Sequence, residues 1–519
     1  MKGGDNKGSI FAACLGVVLV IMAWSSFDYG PTWDEELHAK HAVASAKYYL
    51  SGFQKADPAF YSDNCHLYGD LYEFTALAVY HAVPGLDMFQ ARHLTASVFG
   101  WLAIVFAALL ARRLFGFEAG MLTMVFLLVS PRFFGHSMNN PKDIPFAAGY
   151  TLGLYALSFA RASYPFVTKK QAAGIILGVA MALNIRAGGL LLVAYAGLLF
   201  GILFLKDRNN YNMGRIARFA GVFMVCAVVA VLLGSVLWPW ALLRPIYGPI
   251  EALSSLSRGH QSGFMLFNGQ WVDLEISRWD YYPRWFAITT PLAVLAGGLA
   301  SPLLLFWKKT RPYAAGLLFA VIFPVAWVIY SKAVVYNGIR HMLFIYPAMA
   351  VLAAGTAVWL IKQCEKWKYI QGILAFVIIV GGLYDSTRFS LANHPNQVVY
   401  FNQLTGGMQG AFMNYDLDYW GNSYKQGVDW VAAQAALENK TLTICAGGVR
   451  RLAELNTMEH DNVRYAPTCD EADYYMIYTN LLPKHIQSMT MRKNEVHRVE
   501  ADNVPLLVIL KVGERKEYL

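Results

Sequence analysis

The sequence predicts an α-helical polytopic membrane protein of about eleven transmembrane helices, N-terminus inside and C-terminus outside, with a small C-terminal extracytoplasmic α/β domain. Three observations carry this reading. Of 519 residues, 56% are hydrophobic and 15% charged, whereas ordinary soluble domains carry about 25% charged residues. Apolar runs close to the length of a bilayer crossing recur from residue 9 to residue 385. Lys and Arg crowd the short connections on alternate sides of these runs.

In chain order the runs cover roughly 9–27, 94–111, 119–133, 144–161, 171–184, 187–205, 217–238, 286–307, 314–331, 341–361 and 370–385. The run 171–184 is short, and Asn184-Ile185-Arg186 interrupts it. The stretch 171–205 therefore reads either as a tight hairpin or as a broken helix. The first run follows Lys2 and Lys7 and lacks a small-x-small cleavage site before Phe27-Asp28, so it reads as a retained anchor. Connections bearing Arg112, Arg113, Lys169, Lys170, Lys206, Lys308, Lys309 and Lys362 are dense in positive charge and fall on the inner side. This distribution accounts for the net charge of +9 and the pI near 9.0 without a nucleic-acid partner. Disorder is excluded by the apolar content, and six Cys are too few for a disulfide scaffold.

The membrane unit spans 1–385, with outer loops at 28–93, 132–143 and 239–285. Chemistry is expected on that outer side, because loops on a rigid scaffold commonly carry it. From 386 to 519 charges return and apolar runs shorten. Residues 424–437 have helical spacing, and 441–446, 474–478 and 506–512 read as short strands. Cys445 and Cys469 fall in this domain; a disulfide and two free thiols both fit.

Candidate chemistry sits at outer ends of the runs. Thr32-Trp33-Asp34-Glu35-Glu36 places carboxylates just past the first run. A carboxylate there can serve as a general base; the alternative is a helix cap by Thr32 or Asp34. Gly135-His136-Ser137-Met138-Asn139-Asn140-Pro141-Lys142-Asp143 packs polar groups into a turn between two apolar runs. That density marks a site, or an ordinary turn and helix start. Arg92, Arg186 and Arg340 are cations on the side where cations are scarce. A phosphate at the membrane surface would explain them, as would snorkelling to headgroups. P-loop, Rossmann, HExxH and paired CxxC patterns are absent from the sequence.

Taken together, these motifs resemble the C-class (GT-C) membrane glycosyltransferases, in the bacterial branch of protein O-mannosyltransferases and lipid A aminoarabinose transferases. Trp33-Asp34-Glu35 resembles the acidic motif of that family's first outer loop, and the Asp143 turn its second acidic site. Arg340-His341-Met342-Leu343-Phe344-Ile345-Tyr346-Pro347-Ala348 resembles its Arg-Tyr helix start. Trp279-Asp280-Tyr281-Tyr282-Pro283, His394-Pro395, Tyr400–Gly407 and Asp418–Ser423 resemble further stretches. The family often carries a Lys-Pro-Pro-like segment in the first loop; here the comparable stretch is Asn64-Cys65-His66-Leu67-Tyr68-Gly69, with His66 in place of the cation. Residues 431–519 match no motif of the family.

The resemblance implies an inverting glycosyltransferase that moves a sugar from a polyprenyl-phosphate donor to a hydroxyl acceptor (protein, lipid or glycan). The expected setting is a bacterial inner membrane, with the site facing the periplasm. Asp34, Glu35 and Asp143 are the expected catalytic carboxylates, with Asp34 as base. Arg340, Lys142, Arg186 and His66 are expected at the donor phosphate, and His136, Asn140 and Tyr68 at acceptor or sugar. No cofactor is expected; a divalent cation is an alternative that this reading does not favour. A lipid-linked glycan polymerase or ligase and a transporter or flippase are the rival functions, although mid-helix charges and internal repeats typical of transporters are missing.

Overall fold

The structure, a computed structural model, describes residues 2–164, 166–207, 212–257, 263–276, 278–481 and 495–512. Parts of the 239–285 segment and of the C-terminal domain lie outside the described residues. Seven helices among them are long and apolar enough to cross a membrane: Asn6–Asp28, Met88–Phe115, Ala187–Lys206, Gly214–Ser235, Arg311–Ser331, Arg340–Gln363 and Lys368–Ala392. Phe117–Leu128 and Pro131–Asn139, bent by 69° at their junction, make an eighth if counted as one span.

Among the described residues, helices that meet this length and apolarity are thus fewer than the eleven expected spans. The run 171–184 is a 15-residue helix, Lys169–Leu183, ending at Asn184. The run 286–307 is divided into Tyr281–Thr289, Leu292–Leu299 and a 3-10 turn Ser301–Phe306, with Pro291 and Pro302 at the breaks. Proline lacks the amide proton and pushes its predecessor out of helix, so an apolar run containing it need not be one helix. The run 144–161 forms the helix Asp143–Ser163, buried along most of its length. The turn 132–143 is itself largely helical, as Pro131–Asn139 with proline in its first turn.

Burial separates a core from a lipid-facing rim. The most apolar windows of Arg340–Gln363 and Met88–Phe115 are 78% and 61% buried, against 22% in Arg311–Ser331 and 11% in Lys368–Ala392. The rim helices expose Val225, Leu232, Ile322, Trp327 and Ile373. Such exposure is costly in water and neutral in hydrocarbon. The chain is an integral membrane protein.

Two sheets are present among the described residues. Strands β1 (Phe264–Phe267) and β2 (Gln270–Asp273) form a hairpin. Its turn is Asn268-Gly269, both at positive φ, the dipeptide favoured in tight hairpins. The C-terminal sheet holds β3 (Leu442–Gly447), β4 (Val463–Tyr465), β5 (Tyr474–Tyr478), β6 (Glu495–Ala501) and β7 (Val504–Lys511), in the order β4-β3-β5-β7-β6. β3 runs parallel to β4 and β5, and β7 antiparallel to β5 and β6. Val428 and Val431 of helix Ser423–Leu437 join Ile444, Met476 and Leu507 in its core. The three expected strands are present. β4 and β6 escaped the sequence reading because both are edges: β4 has three residues, and β6 interleaves Glu495, Arg498 and Glu500 with apolar positions. Cys445 and Cys469 form a disulfide across 5.3 Å between Cα atoms.

Candidate active site

The helix Glu35–Leu50 starts beside the end of the first membrane helix. Asp34 occupies its N-cap position without a side-chain capping bond. The Thr32 amide and hydroxyl donate instead to Glu35 Oε2, at 2.9 and 3.1 Å. Glu35 and Glu36 in the first turn suit the positive end of the helix. Because capping falls to Thr32 and Glu35, the Asp34 carboxylate is free for another partner.

That partner is Arg340, whose Nη1 donates to Asp34 Oδ2 at 2.8 Å. Arg340 opens the 3-10 turn Arg340–Ile345 that leads into the helix Tyr346–Gln363. Gly338, two residues earlier, has φ +66 and donates its amide to the Tyr281 hydroxyl at 2.9 Å. A Cβ there would be strained by that φ and would stand 3.3 Å from Arg132 Nη1. The Arg340 guanidinium also lies over the rings of Trp420, at 5.0 Å, and Tyr336, at 5.7 Å.

Asp143 begins the helix Asp143–Ser163. Asn140 Oδ1 accepts the amides of Lys142 and Asp143, and its Nδ2 donates to Asp143 Oδ2 at 2.9 Å. This turn aims Asp143 between two guanidiniums: Arg186 Nη2 is 2.7 Å from Oδ1 and Arg340 Nε is 3.7 Å from Oδ2. Asp34 and Asp143 thus share Arg340. Tyr68 lies within 5.6 Å of Arg186 and 5.3 Å of Lys142. Burial pushes its hydroxyl up to about 12, so it stays a neutral donor. The next residue, Gly69, allows this approach, since a Cβ would meet the Asn184 carbonyl oxygen at 2.0 Å.

Behind this layer is a fully buried ionic cluster. Glu73 takes Arg92 Nη1 at 2.7 Å and Lys142 Nζ at 3.1 Å. Burial opposes its charge, but Arg92 and Lys142 outweigh burial and hold the carboxyl below the ordinary 4.5. Glu35 belongs to the same cluster, 3.7 Å from Arg92 Nε and 3.1 Å from His93 Nε2.

A cleft of about 710 Å3 opens over the pair, lined by Asp34, Tyr68, Tyr336 and Arg340 on one side and by Gly448, Arg450 and Arg451 on the other. Arg451 holds Glu36 through Nε at 2.9 Å and Nη2 at 2.6 Å. The C-terminal region therefore supplies one wall of the cleft. It also reaches underneath it: Tyr419 meets His136 Nε2 at 2.9 Å, and Asn422 accepts from Asn139 at 2.6 Å.

Of the residues expected from sequence, Asp34, Tyr68 and Arg340 line the cleft. Asp143, Arg186 and Asn140 connect to them directly through Arg340 and Asp143. His136 stands one step behind, 3.3 Å from Asn140. Glu35 and Lys142 are turned into the buried cluster instead. His66 is elsewhere: it packs on Trp240 at 4.7 Å, and burial pulls its pKa below 6.5, leaving it neutral near pH 7. Among the described residues no group of three or more His, Cys, Asp or Glu is arranged to hold a metal ion. Sequence reasoning missed Glu73, Tyr336, Tyr419 and Arg450. Glu73 sits in a helix that looks amphipathic and ordinary, and no local pattern distinguishes it. Tyr419 lay inside a stretch already singled out, so it was open to discovery.

No family model matches the sequence, and no curated protein matches it. Solved structures do resemble it over most of its length, among them the following two. ArnT from Cupriavidus metallidurans bound to undecaprenyl phosphate shares 14% identity, with 96% of this chain and 97% of that one covered at a TM-score of 0.51. The archaeal oligosaccharyltransferase AglB from Archaeoglobus fulgidus, in complex with an inhibitory peptide and a dolichol-phosphate, shares 12% identity, with 89% and 69% covered at 0.52. At such identities the likeness establishes architecture: the chain shares the membrane fold of these two proteins.

Proposed function

We propose that the protein is an inverting, polyprenyl-phosphate-sugar-dependent glycosyltransferase acting on a hydroxyl acceptor at the outer face of a bacterial inner membrane. The observation that carries this reading is the Asp34–Arg340 pair, joined at 2.8 Å in one cleft of a GT-C fold. Solved proteins of that fold hold undecaprenyl phosphate and dolichol-phosphate. The Cys445–Cys469 disulfide supports an oxidising compartment for the C-terminal wall of the cleft.

In this mechanism the donor phosphate binds at Arg340 and Arg186, beside Tyr68. It competes with Asp34 for Arg340, so donor binding uncovers the base. The acceptor oxygen then bonds to the anomeric carbon as Asp34 takes its proton. The bond from that carbon to the phosphate oxygen breaks on the opposite face, and its electron pair leaves with polyprenyl phosphate. That leaving group is already anionic and needs cations rather than an acid, which the two guanidiniums provide. Asp143 keeps both guanidiniums in place, and Lys142 is held back by Glu73 as support. Asn140 and His136 order the turn beneath the acceptor.

Purified protein given radiolabelled polyprenyl-phosphate sugars and a membrane extract should release labelled product. Failure with every such donor, while label appears from a lipid diphosphate glycan, would replace the proposal with the polymerase or ligase reading.

A further inference from the structure

A second cavity, of about 380 Å3, lies far from Asp34. Leu114, Leu157, Leu198, Ile202, Gly316 and Phe319 line it, and Arg161 with Tyr313 stands at its mouth. Its walls are the late turns of Met88–Phe115 and Asp143–Ser163, the helix Leu190–Asp207 and the early turns of Arg311–Ser331. Asp143 and Arg161 are at opposite ends of one helix, which at 1.5 Å per residue separates this mouth from the acidic site by about 27 Å. Leu198 and Ile202 remain about half exposed, so the cavity is a groove open toward the surrounding lipid.

The groove is apolar along its length and basic at one end. Arg161 lies 5.3 Å from the Tyr313 ring and has no carboxylate within ion-pair distance among the described residues. Arg113 stands beside it, donating from Nε to Ser158 Oγ at 3.0 Å and covering the Phe159 ring at 3.6 Å. Lys169 and Lys170 open the next helix at the same end. Arginines held by aromatic rings rather than by carboxylates keep their charge available to an external anion. Basic residues at a membrane boundary attract anionic lipid headgroups.

We propose that this groove holds an acyl chain of an anionic glycerophospholipid from the leaflet opposite the Asp34 cleft, with the lipid phosphate on Arg161. This site is independent of sugar transfer. Two substitutions separate its parts. Arg161→Gln removes the headgroup cation. Gly316→Phe fills the groove, since a Cβ at Gly316 meets no atom within 4 Å and a larger side chain has space there.

The test is native mass spectrometry of the full chain in detergent, titrated separately with phosphatidylglycerol, phosphatidylcholine and polyprenyl phosphate. Phosphatidylglycerol should be retained at least several-fold more than phosphatidylcholine. Arg161→Gln should erase that preference, and Gly316→Phe should reduce retention of both lipids, with helix content by circular dichroism unchanged. Equal retention of the two phospholipids by the wild type would overturn the proposal. So would full retention by Gly316→Phe, or displacement of phosphatidylglycerol by polyprenyl phosphate, which would mark the groove as a channel for the donor tail.

Discussion

Asp34 and Arg340 stand 306 residues apart in sequence and 2.8 Å apart in space. The pair joins the start of the first helix beyond the N-terminal span to the turn that opens a central one. It is partly exposed on the acidic side and nearly buried on the basic side, with side chains 31% and 10% accessible. A ligand can therefore reach the carboxylate while the guanidinium stays fixed by its neighbours.

Asp34→Asn is expected to lower sugar transfer by roughly 10²–10⁴-fold, the range for losing a general base. Donor binding should persist or tighten, because the amide no longer competes for Arg340. Transfer rates and donor affinity measured on the same preparation check both halves. Near-normal transfer would remove Asp34 from the chemistry.

Arg340→Ala is expected to weaken donor binding by tenfold to a hundredfold, matching about 1.5–3 kcal/mol for a charge-assisted bond. Acceptor affinity should change much less. Equilibrium binding of a labelled polyprenyl phosphate reads this directly, and an unchanged Kd would place the phosphate elsewhere.

Glu73→Gln strips the charge that answers both Arg92 and Lys142, each in contact with it inside the protein. Breaking a buried pair in this way costs about 3–5 kcal/mol, so a clear drop in Tm is expected. The folded-state pKa of Glu73 lies below 4.5. Its contribution is accordingly complete above about pH 4.5 and fades as pH falls through the lowered value. The acid-side slope of a thermal melt should flatten in the variant; an identical slope would show that other groups set it.

Glu36 ties the cleft to the C-terminal domain through Arg451, whose hydrogen bonds, outweighing burial, bring its carboxyl from 4.5 to about 2. A depressed carboxylate stabilises the contact above pH 4.5, and this is lost between 4.5 and about 2. Hydrogen exchange around 450–457 should rise across that window in the wild type. In Glu36→Gln it should be raised already at neutral pH.

Replacing Cys445 and Cys469 together by Ser opens a link that closes a separation of 24 residues. The loss should be about 3 kcal/mol in the stability of the C-terminal domain, by loop-closure entropy. Melting of the wild type with and without reductant provides the comparison, and the double variant should be indifferent to reductant.

Much of the architecture was readable along the chain. The membrane character follows from apolar content, which local composition carries without any contact. The strands at 442–447, 474–478 and 504–511 follow from apolar runs bounded by turns. Asp34, Asp143 and Arg340 could be singled out because charge beside a bilayer is expensive and therefore noticeable. Other features depended on packing. Pro131 bends the third apolar run by a sharp angle, which makes a helix of the expected turn and carries His136 and Asn140 beneath the cleft.

What the sequence determined by itself was the solvent each segment prefers, because transfer free energy belongs to the side chains. Which carboxylate meets which cation was decided only by tertiary structure. Glu35 and Asp34 are neighbours of the same chemistry, yet one faces Arg92 and His93 in the interior and the other faces Arg340 in a cleft. Successive residues at a helix start point in different directions, and what lies in each direction comes from another segment, 58 residues on for Glu35 and His93 and 306 residues on for Asp34 and Arg340.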